Sequence, residues 1–412
     1  MPAPEQLNSI INKQLPWQEE LYKHFHRHPE LGLKEFETSQ RIESELVRLG
    51  CEIHRFGGTG IVGILRQDLG PVVLARADMD ALPVREDTGL EYSSEVDGVM
   101  HACGHDMHVT TLLGAVKFFA ENRQYWKGTY IALFQPAEET AAGAQAMIAD
   151  GLVESLPRPE VALAQHVMPG EAGMIGTKPG PILSAGDCLR ITIYGRGAHG
   201  SMPHNSVDPV VLAASIVLKL QTIVSRETQP GHFAVLTVGA LNAGSTANII
   251  PDRAQLLLNI RTYEPEIRQR MVESIRRVVR GECEAAGSPK DADFEFYDQF
   301  PLTSNDQTVN TRVTEAFENH FGTDQVYLTD PATASEDFSR IPDAFGIPYV
   351  YWTVGCTDAQ QYRDASQRGT VSTEIPANHS PFFAPVINPT LATGTGAQVI
   401  AALAYLGSDL PE

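Results

Sequence analysis

The run His101-Ala-Cys-Gly-His-Asp-Met-His108 places three imidazoles, a thiol and a carboxyl within one short stretch. Imidazole, thiolate and carboxylate are the usual ligands of first-row transition metals, and Gly104 permits a tight path between them. Singly, each histidine could as well cap the helix that follows; as a cluster they point to a metal site. Two acidic pairs converge on it. Asp78-Met-Asp80 closes an apolar run, and alternation sends both carboxyls to one side, where one can orient a ligand histidine. Glu138-Glu139 follows a second apolar run. Adjacent residues of an extended chain point opposite ways, so one glutamate can ligate a metal while its neighbour acts as a general base. The same pair would also suit the N-terminus of a helix starting near Ala141. His166 and His379 stand alone in the sequence and gain meaning only as members of the set.

These residues fall at the joints of an alternating pattern. Apolar spacing predicts helices over 10–25 and 42–49, strands at 60–65 and 71–75, and a helix over 108–121. A strand at 129–134, a helix over 141–150 and a strand at 161–165 follow. Such alternation predicts an α/β fold: a mixed, mostly parallel sheet with helices on both faces. Ligands of such sheets gather at the carboxyl ends of the strands, where Asp78, Asp80, Glu138, Glu139 and His166 lie. From residue 185 the character changes. Strand 188–194, helix 208–224, strands 233–241 and 254–261, helix 264–286 and strand 293–297 have the order of a ferredoxin-like split βαβ unit. Helix 309–321, strand 348–353 and helix 389–406 then resume the first pattern. The expected organisation is a catalytic domain, 1–184 and 300–412, interrupted by an inserted α+β domain, 185–299. The polar stretch 356–374, just ahead of His379, is expected to be a surface loop able to act as a lid.

The chain has 412 residues, more than one core usually organises, which agrees with two domains. With 51 acidic and 31 basic residues it carries a net charge of −20. That excludes the basic footprint of a nucleic-acid binder and opposes an acidic membrane surface. No uninterrupted apolar run of about 18 residues predicts a membrane span, and no secretory leader is visible. The five cysteines are widely spaced and include no C-x-x-C, which fits reduced thiols in a cytoplasm.

In the inserted domain, Gly195-Arg-Gly-Ala-His199-Gly-Ser-Met-Pro-His204 is a Gly-rich turn presenting two histidines. It lacks the Gly-Lys-Ser/Thr of a phosphate loop. Asn248 precedes Ile249-Ile250-Pro251, and Arg261 ends a predicted strand. The planar Arg fork suits a carboxylate, and a surface salt bridge would use it equally well.

Six segments run in order over nearly the whole chain: His26-Arg-His-Pro-Glu-Leu-Gly32, Arg76-Ala-Asp-Met-Asp-Ala-Leu-Pro83, His101–His108, Phe134-Gln-Pro-Ala-Glu-Glu139, Gly195–His204 and Asn378-His-Ser-Pro381. Through them the chain resembles the M20 metallopeptidases, in particular the amidohydrolase branch of aminoacylases, hippurate hydrolases and indole-acetyl-amino-acid hydrolases. The resemblance implies that Cys103, His105, Glu139, His166 and His379 ligate one or two divalent metals. It implies that Glu138 is general base and then acid, with Asp80 supporting the site. It implies that His199 reaches the partner subunit's site and stabilises the oxyanion, that Asn248 and Arg261 hold substrate carbonyl and carboxylate, and that the inserted domain makes a homodimer or a lid. Many members place His-x-Asp at the first strand end; here Asp78-Met-Asp80 stands there, with Cys103 and His105 in compensation. That arrangement favours small N-acyl-amino acids over long peptides.

A thiolate ligand makes Zn²⁺ the expected metal, with Mn²⁺, Co²⁺ and Ni²⁺ open. The expected activity is hydrolysis of N-acyl-amino acids to a carboxylic acid and a free amino acid. A dipeptidase or carboxypeptidase on the same site is one alternative, and a non-catalytic metal- or ligand-binding protein is another. A site that only binds, however, has no use for a spare base beside its ligand.

Overall fold

A computed structural model describes residues 2–407. The chain forms two compact units. The first comprises Met1–Ile182, Ser304–Pro331 and Asp337–Glu412, and the second Leu183–Thr303 with Ala332–Glu336.

The first unit is built on an eight-stranded sheet. Its spatial order is Glu52–Phe56, Gly60–Gln67, Gly128–Gln135, Val72–Asp78, Val161–Glu171, Tyr349–Thr357, Ile175–Thr177 and Val326–Leu328. The four central strands, from Gly128–Gln135 to Tyr349–Thr357, pair in parallel. They read as nearly continuous apolar runs because both faces are covered, as parallel sheets require. Parallel pairing sets their carboxyl ends side by side, with Asp78 opposite Gln135. The helices Pro4–Arg27, His105–Glu121 and Ile387–Leu406 pack together and against the sheet, closing one large core.

Three local expectations are corrected. The helix expected from residue 108 begins at His105, because Gly104 takes a left-handed turn at φ +83° and starts it three residues earlier. The strand expected to stop at 165 runs from Val161 to Glu171, so His166 lies within it, held by register opposite Thr353. The stretch expected to be a loop carries two helices, Ala359–Arg368 and Val371–Glu374. Asp358 caps the first by accepting from the backbone N–H groups of Gln360 and Gln361. Only Ala365 of that helix is buried, so no apolar stripe announced it.

The second unit holds a four-stranded antiparallel sheet in the order Ala234–Ala243, Arg253–Thr262, Ala185–Tyr194, Asp293–Phe300. The helices Pro209–Thr222 and Pro265–Ala286 pack on it and share a separate core. A small two-stranded antiparallel sheet pairs Ile249 with His199.

Gly114 lies where helix His105–Glu121 meets the first helix. A Cβ there would fall 2.2 Å from Gln18 Nε2, which donates to Thr110 O and Thr395 Oγ1. Helix propensity favours alanine over glycine by about 1 kcal/mol. Overpacking a rigid core costs about 1–3 kcal/mol, and displacing the carboxamide weakens two buried hydrogen bonds worth about 1 kcal/mol each. Packing therefore wins. Gly114→Ala is expected to lower stability by about 2 kcal/mol, read as a lower urea midpoint.

Candidate active site

Five segments of the first unit carry the site: 78–80, 101–108, 138–139, 161–171 and 378–379. Gly104 lets the 101–108 run turn, and it must be glycine, since a Cβ would sit 2.4 Å from Val167 Cγ2. The turn sets Cys103 beside the strand Val161–Glu171, with Sγ 3.5 Å from His166 Nε2. His379 is held at φ +70°, a costly backbone for a residue with a Cβ, and its N–H donates to Ala102 O at 2.8 Å. Asn378 bonds the carbonyls of Cys103 and Val167, tying that loop to the strand.

His105 is the centre. Its Nδ1 lies 3.2 Å from Asp80 Oδ1, which fixes the ring with Nε2 bare. Nε2 is buried without a hydrogen-bond partner, 3.8 Å from both Asp78 Oδ2 and Glu139 Oε1. Glu139 Oε1, also without a hydrogen bond, lies 3.2 Å from His379 Nε2. His166 Nδ1 donates to Val167 O, so Nε2 is the nitrogen that accepts from the Cys103 thiol. Two four- and three-membered donor groups result: Asp78, His105, His108 and His166, and Cys103, His105 and Glu139. His108 is spent elsewhere, because Nδ1 bonds Asp78 at 2.5 Å and Nε2 accepts from the Val167 N–H. His101 is buried with neither ring nitrogen bonded and belongs to neither group.

Electrostatics asks for a cation here. Burial opposes charge on His105, but Asp78, Asp80 and Glu139 overcome it and raise the ring to about 10. Burial and the carboxylates of Glu139, Glu138 and Asp78 push the Cys103 thiol well up, so it is a neutral thiol unless a cation draws off its proton. Burial and the neighbouring His108 hold His166 well below its ordinary value, as a neutral ligand. Burial acts to raise Glu139, and His379 and His105 outweigh it and keep it ionised. An unpartnered buried nitrogen on His105, with a thiol and a carboxylate facing it, fits a divalent metal.

The Glu138–Glu139 pair is not in extended chain. It lies in a turn entered through Ala137 at φ +44°, so strand alternation does not govern where its carboxyls point. Glu139 N–H donates to Asp80 Oδ2 at 3.1 Å, which gives Asp80 a second task beside orienting His105.

Several residues behind the site escaped the sequence reading. Arg76 is fully buried within its strand, 2.6 Å from Asp78 Oδ2 and 3.4 Å from Asp337 Oδ1, with Nε on Gln135. A lone arginine in an otherwise apolar strand was the available signal, since a buried charge requires a partner. His26 is buried between Asp106 Oδ2, 2.7 Å away, and Glu86 Oε1, 3.3 Å away.

His199, Asn248 and Arg261 belong to the second unit. His199 is exposed and bonds Ser201; Asn248 is exposed and its carbonyl accepts from Gly200. Arg261 is half-buried, with Nε on Asn259 Oδ1 and Nη1 on Ser335.

Residues 74–367 match the model of peptidase family M20/M25/M40. The chain belongs to this family. It is 39% identical over 346 residues to an N-acetyl-L-cysteine deacetylase of Bacillus subtilis, covering 82% of this chain and 81% of that one. It is 34% identical to thermostable carboxypeptidase 1 of Saccharolobus solfataricus, covering 86% and 90%. Among solved structures, a dinuclear metal binding peptidase of the M20 family from Bacillus subtilis superposes with TM-score 0.76 at 29% identity, over 95% of this chain and 99% of that one. The protein is thus a divalent-metal hydrolase of amide bonds.

Burial alone would drive His26 toward neutrality, but its hydrogen bonds to Asp106 and Glu86 raise it to about 9 from 6.5. A folded-state value above the unfolded one means protonation stabilises the fold. That stability is complete below about pH 6.5 and is lost as pH rises through about 9. The stability difference between wild type and His26→Gln is therefore expected to shrink by about 3 kcal/mol across that window, measured by urea unfolding at several pH values.

Proposed function

We propose that the protein hydrolyses N-acyl-amino acids to a carboxylic acid and a free amino acid, on a site formed by Cys103, His105, Glu139, His166 and His379. The observation that carries this reading is the pair Glu138–Glu139. Glu139 stands in a donor group with Cys103 and His105, and Glu138, buried next to it in the chain, lies outside that group and is left for proton transfer in this reading. Asp78 occupies the strand end, and the Cys103 thiol supplies a donor nearby. That donor set supports small acyl-amino acids, and the deacetylase relative supports the same class. The carboxypeptidase relative favours a second reading, in which the scissile amide belongs to a peptide's C-terminal residue.

A bound divalent cation supplies Lewis acidity to the attacking water and the amide carbonyl, and the thiol in the donor set makes Zn²⁺ the preferred ion. Glu138 accepts the proton of the attacking water and returns it to the leaving amine nitrogen. Asp80 holds His105 in the tautomer that leaves Nε2 free, and holds the Glu139 backbone. His199 stabilises the developing oxyanion of the partner subunit's substrate, worth about 3–4 kcal/mol for a good donor. Asn248 and Arg261 bind the substrate's carbonyl and carboxylate.

A homodimer through the second unit completes this reading. The strand Ala234–Ala243 is a sheet edge, and helix Pro209–Thr222, packed against it, exposes Val211 (66%) and Leu218 (74%). An open edge beside an exposed apolar face is a surface that pairing covers.

Glu138→Gln is expected to lower kcat by about 10²–10⁴ with metal content unchanged, measured on N-acetyl- and N-benzoyl-amino acids. Near-full activity in that variant sinks the base assignment, and faster turnover of dipeptides or peptides than of N-acyl-amino acids sinks the substrate assignment. The double variant Val211→Asp, Leu218→Glu is expected to run at monomer mass by light scattering, where wild type runs as a dimer.

A further inference from the structure

The stretch between the first two helices of the chain, residues 28–35, has no part in the chemistry described above. It ends in a buried acid, Glu35, with no exposed surface. Glu35 Oε1 accepts the backbone N–H of Ala137 at 2.9 Å, and Oε2 accepts the Thr59 hydroxyl at 2.6 Å. Both donors are neutral. A carboxyl buried on neutral donors alone is expensive, and burial raises it above its ordinary range. Its location accounts for its presence. Ala137 is the left-handed residue, φ +44°, through which the chain turns out of the strand Gly128–Gln135 into Glu138. A residue with a Cβ takes that conformation at a cost of about 1–2 kcal/mol, so it persists only where neighbours hold it.

The turn beyond is closed by Ala141 N–H on Glu138 O and Gly143 N–H on Ala137 O. On its other side, Asp80 Oδ2 takes the Glu139 N–H. Glu138 is thus gripped by a carboxylate one residue before it and another one residue after it. Between those two grips its backbone has one course, and its side chain inherits its direction from that course.

We infer that Glu35 is a positioning residue for hydrolysis: its carboxyl fixes the Ala137 backbone and thereby aims the Glu138 carboxyl. The inference rests on the reading of Glu138 as the base. It predicts that the hydrogen-bond acceptor at residue 35 matters and its charge does not, since a glutamine can accept from Ala137 and donate to Thr59.

The test compares Glu35→Ala and Glu35→Gln in the metal-loaded, full-length protein. With an N-acyl-amino acid that the wild type turns over, Glu35→Ala should lose about 10² in kcat, the usual scale for a catalytic group displaced by about 1 Å, with KM changed by less than about threefold. Glu35→Gln should stay within about threefold of wild type on both. Hydrogen exchange at the Ala137 amide should accelerate in Glu35→Ala while the amides of helix His105–Glu121 keep their protection. The visible absorption of the Co²⁺-loaded protein should change with it. Unchanged kcat and unchanged Ala137 exchange in Glu35→Ala overturn the proposal, as does an equal loss in Glu35→Gln, which would make charge the requirement. If Glu35→Ala unfolds, Thr59→Val, which frees only the second oxygen, takes its place; it must speed Ala137 exchange and lower kcat, and failure on both counts overturns the proposal. If the wild type cleaves no N-acyl-amino acid, the substrate reading falls, and exchange and the Co²⁺ spectrum still decide the role of Glu35.

Discussion

The bare Nε2 of His105, buried among carboxylates at the sheet edge, is the constraint to which the polar architecture of the first unit answers. Two like charges about 4 Å apart repel by about 4 kcal/mol at the dielectric usual for proteins. Asp78, Asp80 and Glu139 can share one ring only if positive charge is supplied on all sides. Arg76 supplies it from inside the sheet, and on the exposed flank His379 Nε2 lies 3.2 Å from Glu139 Oε1. The carboxylates favour a cation at this position: they hold a proton on His105, and in the proposed reading a divalent metal takes its place. The surrounding hydrogen bonds carry the tautomers that a ligand set requires.

The backbone shares this burden. His379 and Ala137 both stand in left-handed conformations without being glycine, and each is held by a specific bond, to Ala102 O and to Glu35. Strain at these two points turns the chain abruptly at the sheet edge. Side chains from segments far apart in sequence can then meet in a space of a few ångströms.

The central strands were legible in the sequence because burial on both faces writes them as unbroken apolar runs, and strands of the second unit alternate between buried and half-buried residues. The 101–108 run betrayed itself by composition. What was hidden was hidden for physical reasons. Arg76 and Asp337 are joined across 261 residues by the fold alone, and nothing local to either names the other. Glu35 looks like any helix-flanking acid until the Ala137 amide is seen beside it. The direction of Glu138 was misread as strand alternation, because a left-handed alanine leaves no mark in a sequence. Helix Ala359–Arg368 buries a single residue, so it had no periodicity to detect.

The interruption of the first unit by the second has a consequence for how the chain is made. The strand Val161–Glu171 pairs on one side with Val72–Asp78 and on the other with Tyr349–Thr357. Residues 172–348 must be translated before that second neighbour exists, on the order of 10–40 s at ribosomal rates of 5–20 residues per second. Throughout that interval the middle of the future sheet is an open, apolar edge, the kind of surface on which nascent chains aggregate. The second unit, contiguous but for Ala332–Glu336, is complete sooner. The proposed metal centre, with His379 as the last of its proposed donors in the chain, is among the final things this polypeptide can assemble, so a truncated product carries the exposed edge without the activity.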